Sequence, residues 1–278
     1  MKIVQAQSVA PEPAVRHRGG GLQARILLEG ASGTPGNFQL SLGETGPDFV
    51  SPRHRHNFEQ YRMVLEGEYD FGADGLMRAG TVGYFPEGVH YGPQKSGNAT
   101  LAAVLQFGGV SGGGYLSGAD VAAGMEALEA HGEFRDGVFR RREGVPGRRN
   151  QDAFEAIWEF VNARRLVYPK SSYERPTMMN PAHYEWTPMQ GAPGAAEKRL
   201  GRFEANRTGV RLLELAAGAE LGIGGRGVFL VLSGTGRLAD EPLRSLTAFY
   251  LSSDETAEVA SEQRSRLLHF ELPTFASD

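Results

Sequence analysis

Between residues 22 and 107 the apolar positions fall in short runs, at 22–28, 37–42, 61–71, 81–85 and 100–107, each bounded by Gly, Pro, Asn or Asp. Runs of this length predict β-strands, and their regular recurrence between turn signals predicts a sandwich or barrel. The period then changes. Behind a glycine-rich stretch at 108–114, Ser117 and Asp120 have capping-box spacing, and Val121, Met125 and Leu128 fall on one helical face before Gly132. A second helix is predicted after Asn150 as N-cap, where Phe154, Ile157, Trp158 and Val161 form an i, i+3, i+4, i+7 stripe. From Pro169 the strand-like texture returns and runs to Pro273.

Two features turn this pattern into an architecture. With 38 glycines and 15 prolines, many short elements must be separated by tight turns, which favours an all-β plan. The pattern also repeats. Glu59-Gln60-Tyr61-Arg62-Met63-Val64-Leu65-Glu66-Gly67 lines up with Arg226-Gly227-Val228-Phe229-Leu230-Val231-Leu232-Ser233-Gly234. Downstream, the block from Arg78 to Phe85 lines up with Ser245, Leu246 and on to Phe249, Tyr250 and Leu251. Two blocks in the same order at near-equal spacing predict two related β-domains. The expected boundaries are 1–115 for the first, 116–168 for a helical insert and 169–278 for the second.

Charge and composition exclude more than they assign. A formal net charge of −4 gives no bulk attraction to nucleic acid or to an anionic membrane. There is no cysteine, so disulfides and thiolate chemistry are excluded and any metal must be held by nitrogen or oxygen. No apolar run approaches the ~20 residues that span a bilayer, and the N-terminus lacks the apolar core of a signal peptide; a cytoplasmic location is expected. The arginines at 135, 140, 141, 142, 148 and 149 read as a solvated connection, since Asp136 and Glu143 dilute them and no aromatic platform accompanies them. The glycine run at 108–114 lacks a following Gly-Lys-Ser/Thr and reads as a linker. His183 reads as a surface or packed histidine, and Trp158 and Trp186 as packing between domains.

The stretch that carries chemistry is Pro52-Arg53-His54-Arg55-His56-Asn57-Phe58-Glu59-Gln60. Side chains alternate along a strand, so His54 and His56 point the same way with Cα atoms ~6.5–7 Å apart. Imidazoles at that spacing can converge on one cation. The same alternation places Gln60 beside them and turns Glu59 away, unless a β-bulge swings Glu59 inward.

These residues resemble the first motif of the cupin superfamily, which has Gly, H-x-H, a carboxylate and a second Gly. Here the positions are Gly46, His54, His56, Gln60 and Gly67, with Gln in place of Glu. Gly80, Pro86 and Gly88 match the second motif, whose histidine position is Tyr91, while His90 lies one residue early. The resemblance implies two tandem cupin barrels of double-stranded β-helix (jelly-roll) type. It implies a divalent transition metal (Fe, Mn, Ni or Zn) held by His54, His56, Gln60 and His90, with Tyr91 as an acid–base or orienting group. The chemistry implied is dioxygenase-like, on a small organic substrate. A metal-free small-molecule binder or regulator, and a non-redox isomerase or lyase, are the alternatives. In the second copy the ligand positions are Leu221, Ile223 and Gly227, followed by Thr256 and Ala257; none is a good ligand, so no metal is expected there. A homodimer is expected, because exposed sheet edges in such barrels are often covered by a partner.

Overall fold

The run that contains Gln60 forms the strand Phe58–Glu66, hydrogen-bonded on one side to Val82–Phe85 and on the other to Thr100–Gly108, which pairs in turn with Phe38–Thr45. Each of these strands is antiparallel to its neighbour. A smaller sheet, in the order Val50–Ser51, Gln94–Lys95, Glu68–Asp70, Leu76–Arg78, makes the second layer. Phe49, Val64, Tyr69, Phe71, Met77 and Phe85 fill the space enclosed. This is a computed structural model, and it describes residues 1–14 and 21–274. The run expected as one strand at 61–71 is broken at Gly67. There the chain turns through φ 76°, and a Cβ would lie 2.4 Å from the carbonyl oxygen of Ala99.

The chain divides into two compact units. One comprises Pro11–Ala24 and Gly30–Met178, the other Met1–Ala10, Arg25–Glu29 and Met179–Asp278. In the latter the sheet order is Lys2–Gln5, Thr247–Leu251, Gly227–Ser233, Ser265–Glu271, Thr208–Leu215, Ala195–Phe203, Thr187–Pro188. The first strand of the chain thus pairs within the unit built mainly from the last hundred residues, Lys2 opposite Tyr250 and Gln5 opposite Thr247.

The internal repeat is structural. Gln60 pairs with Phe85 and Met63 with Val82; in the second copy Gly227 pairs with Leu251 and Leu230 with Ala248. Both copies carry a register shift at the same aligned residue, Leu65 in one and Leu232 in the other. A β-bulge there bends the strand just before the turn. Gly234 repeats the role of Gly67, with φ 89° and no room for a side chain against Ser265.

Two helices interrupt the β pattern. The first, α1 (Gly118–Glu129), begins as expected at Ser117, whose hydroxyl accepts the Asp120 N–H at 3.1 Å. The second, α2 (Ala153–Asn162), is capped by Asp152 and not by Asn150, with the Glu155 N–H donating to Asp152 Oδ1 at 3.0 Å. The reason is that Asn150 is held extended: Asn150–Asp152 forms the edge of a small sheet with Val138–Arg141 and Gly132–Arg135. Gly132 accordingly opens a strand as well as following a helix. The arginine-rich stretch is part of this sheet and its turn, and Arg148 pairs with Glu155 and Glu159. No helix among the described residues is long and apolar enough to cross a membrane.

Candidate functional site

His54 is brought inside by a two-residue bridge: its N–H donates to the Tyr91 carbonyl at 3.1 Å and the Tyr91 N–H donates back at 3.0 Å. This joins the two halves of the motif, whose residues are 37 positions apart in sequence. The strand expected to carry both histidines begins only at Phe58, so His54 sits in an isolated bridge and His56 in the connection, with their rings 4.8 Å apart and nearly perpendicular. Gln60, 1% exposed, turns to the same interior. His90 does not join them. It lies on the exposed side of the loop, where its carbonyl accepts from Arg53, and burial together with the cations Arg55 and Arg53 lowers its pKa. Tyr91 takes the inward position, 1% exposed, with its ring 4.6 Å from that of His54.

Glu59 faces away from the histidines, as the alternation predicts, and no bulge returns it. Its carboxylate accepts the Tyr84 hydroxyl on the other face of the strand. Burial, reinforced by the neighbouring Glu87 carboxylate, pushes its pKa up to about 7 against the opposing effect of the Tyr84 hydrogen bond.

The residue at the centre of the cluster is one that motif reading passed over. Arg62 is two places beyond Gln60 and therefore on the same face. It is 8% exposed. Its Nε and Nη2 donate to Gln60 Oε1 at 3.2 and 2.7 Å, Nη2 also to the Tyr91 hydroxyl at 2.9 Å, and Nη1 to Gln94 Oε1 at 2.5 Å. The guanidinium lies 4.7 Å from the centre of the Phe85 ring. Among the described residues no carboxylate pairs with it. Extending the period-two pattern by one step, from 60 to 62, was the signal that could have found it.

Hydrogen-bond direction fixes the state of His54. Its Nδ1 is 2.6 Å from the Pro52 carbonyl oxygen; a carbonyl only accepts, so Nδ1 carries the proton. Nε2 lies 3.0 Å from the Tyr91 hydroxyl, whose proton also points to Gln60 Oε1 at 3.2 Å. This arrangement does not fit a divalent cation. The position of the neutralising carboxylate is taken by the neutral Gln60, whose oxygen accepts from Arg62 and Tyr91, and the fixed positive charge of Arg62 stands beside it.

The helical insert lies on the histidine side. Phe154 of α2 is 5.8 Å from both His56 and Phe58, and Tyr115 is 5.2 Å from Phe58. Trp158 is buried in the same cluster. Below it, three glutamines stand in a row across adjacent strands, Gln39 opposite Gln106 and Gln106 opposite Gln60. Directly opposed residues share a face, so all three look inward.

In the second unit the expected positions are apolar. Leu221 and Ile223 lie in a cluster with Leu213, Phe229, Val231 and Phe249. His183 sits in a single turn of 3-10 helix and is not buried. Trp186 lies near Lys198 and Arg266 as a cation–π partner.

No family model matches the chain, and no curated protein matches it. Solved structures do. A putative dioxygenase from Nostoc punctiforme is 13% identical, with 99% of this chain and 84% of that chain covered at a TM-score of 0.66. Oxalate decarboxylase from Bacillus subtilis is 11% identical over 98% of this chain and 76% of that chain, TM-score 0.57. A pirin from Escherichia coli in complex with nickel(II) is 11% identical over 99% of each, TM-score 0.53. These likenesses show the fold: the chain is mostly β, with the two-barrel cupin plan expected from its motifs.

Proposed function

We propose that the first barrel is a metal-independent small-molecule site in which Arg62 supplies the positive charge that an ion would otherwise supply. The observation that carries this reading is the Arg62 fork on Gln60 and Tyr91. It takes up the oxygen of Gln60, one of the ligands expected from the sequence, and places a permanent cation beside it. The role is then binding and orientation of a small molecule on the histidine side of Arg62, beneath the aromatic cover of α2.

Metal analysis tests it directly. Protein purified without chelators is expected to carry less than about a tenth of an equivalent of any transition metal, and added Ni²⁺, Mn²⁺, Fe²⁺ or Zn²⁺ should leave its melting temperature unchanged. A stoichiometric metal that disappears with His54→Ala would sink the proposal.

A second reading, a metal-dependent enzyme of dioxygenase-like chemistry, is favoured by one feature, the two imidazoles 4.8 Å apart. It draws on neighbours that include a putative dioxygenase and a nickel(II) complex. For this chain it requires Gln60 to be released from Arg62. Metal uptake that rises sharply in Arg62→Met would favour it.

A further inference from the structure

From Arg62 and the glutamine row we infer that the ligand of the first barrel is an organic carboxylate, which pairs with the Arg62 guanidinium from the His54–His56 side. The inference rests on the metal-independent reading of the site and names its substrate class.

Three observations carry it. The first is charge. Arg62 is buried, and each of its hydrogen-bond partners, Gln60, Gln94 and Tyr91, is neutral. A buried cation is costly unless an anion compensates it, and among the described residues the protein supplies none. The second is donor capacity. Four of the five guanidinium N–H groups are engaged by Gln60, Tyr91 and Gln94, so one N–H on Nη1 remains to donate a charge-assisted bond to a carboxylate oxygen.

The third is the incomplete row. Gln60 is held by Arg62, and Gln106 accepts the Tyr115 hydroxyl at 2.9 Å. Gln39, only 8% exposed, keeps an amide oxygen without a hydrogen-bond partner. A buried unsatisfied acceptor at the same level as Gln60 points to a donor on a molecule that completes the site. Phe58, Tyr115 and Phe154 line that side, so the body of the ligand meets aromatic surface while its carboxylate meets Arg62.

The test is calorimetric titration of the metal-free full chain with acetate, lactate, benzoate and 4-hydroxybenzoate, with benzamide as the neutral isostere and chloride as the inorganic control. At least one carboxylate is expected to bind, and benzamide to bind at least about 10-fold more weakly than benzoate where benzoate binds. Arg62→Met should weaken the carboxylate by about 30-fold or more, while Arg62→Lys, which keeps the charge and loses the fork, should fall between. Equal binding of benzamide and benzoate, binding by chloride alone, or no binding by any carboxylate overturns the inference and leaves the metal-independent reading standing. The wild-type comparison of acid and amide holds even if Arg62→Met fails to fold. Carboxylate binding that vanishes on chelation and returns with added metal overturns the metal-independent reading instead.

Discussion

The two copies of the repeat place opposite chemistry at equivalent positions. In the first, Gln60, Arg62 and Val64 face inward; in the second, the aligned residues are Gly227, Phe229 and Val231. Phe229 is sandwiched between His269, 4.0 Å away with rings 4° from parallel, and Phe249, 4.6 Å away and 8° from parallel. The imidazole of His269 takes up the room above Gly227, where a Cβ would lie 2.4 Å from its Nε2. Arg211 donates to His269 Nδ1 at 2.8 Å and is itself paired with Glu197. Burial holds the His269 pKa well below its ordinary value, so the ring is neutral. One barrel surrounds a cation with neutral acceptors; the other stacks aromatic rings on an aliphatic core. The shared bulge and turn show that the scaffold tolerates both, so function belongs to the occupants of these few positions and not to the fold.

The comparison can be broken at those positions, and the effects should differ in size. Phe229→Ala empties the centre of the stack and should cost about 3–5 kcal/mol in urea unfolding. The outward residue of the first barrel comes next. Glu59 titrates at about 7 in the folded chain against 4.5 as its ordinary value. The folded state therefore holds a proton that the unfolded state has released between these pH values. Stability should fall as pH rises through that window, by up to about 3 kcal/mol, and level off above it. Glu59→Gln, which keeps an acceptor for Tyr84, should flatten the profile measured between pH 5 and pH 8; an unchanged slope would assign it elsewhere. Gly227→Ala, which pushes a methyl against His269, should cost about 1–3 kcal/mol by the same unfolding assay. The smallest effect is expected at Arg62→Met. Removing a buried charge that has no counter-ion should offset most of the cost of leaving the Gln60 and Gln94 oxygens without Arg62, so that stability changes by about 1 kcal/mol or less. A loss as large as that of Phe229→Ala would show that Arg62 is a structural strut.

Much of the architecture was legible from local pattern. The strand runs, the repeat and the Ser117 cap follow from side-chain alternation and capping chemistry, which depend on neighbours a few residues apart, whereas His54 and His56 precede the strand and are placed by the bridge to Tyr91. The placing of Asp152 rather than Asn150 at the head of α2 was not, because it depends on Asn150 pairing with Arg140 in a sheet. The choice of Tyr91 over His90 was also hidden. Two adjacent residues point to opposite sides, and the bridge between His54 and Tyr91 selects which one enters.

From the sequence alone, then, comes the two-barrel plan, since it is written in periodicity and repeated spacing. The charge balance at the centre came only from the tertiary structure. Whether Arg62 meets a carboxylate depends on strands far apart in the chain, and their packing leaves it among Gln60, Gln94 and Tyr91. The buried guanidinium, invisible to a search for metal ligands, is the feature on which the proposed anion site rests.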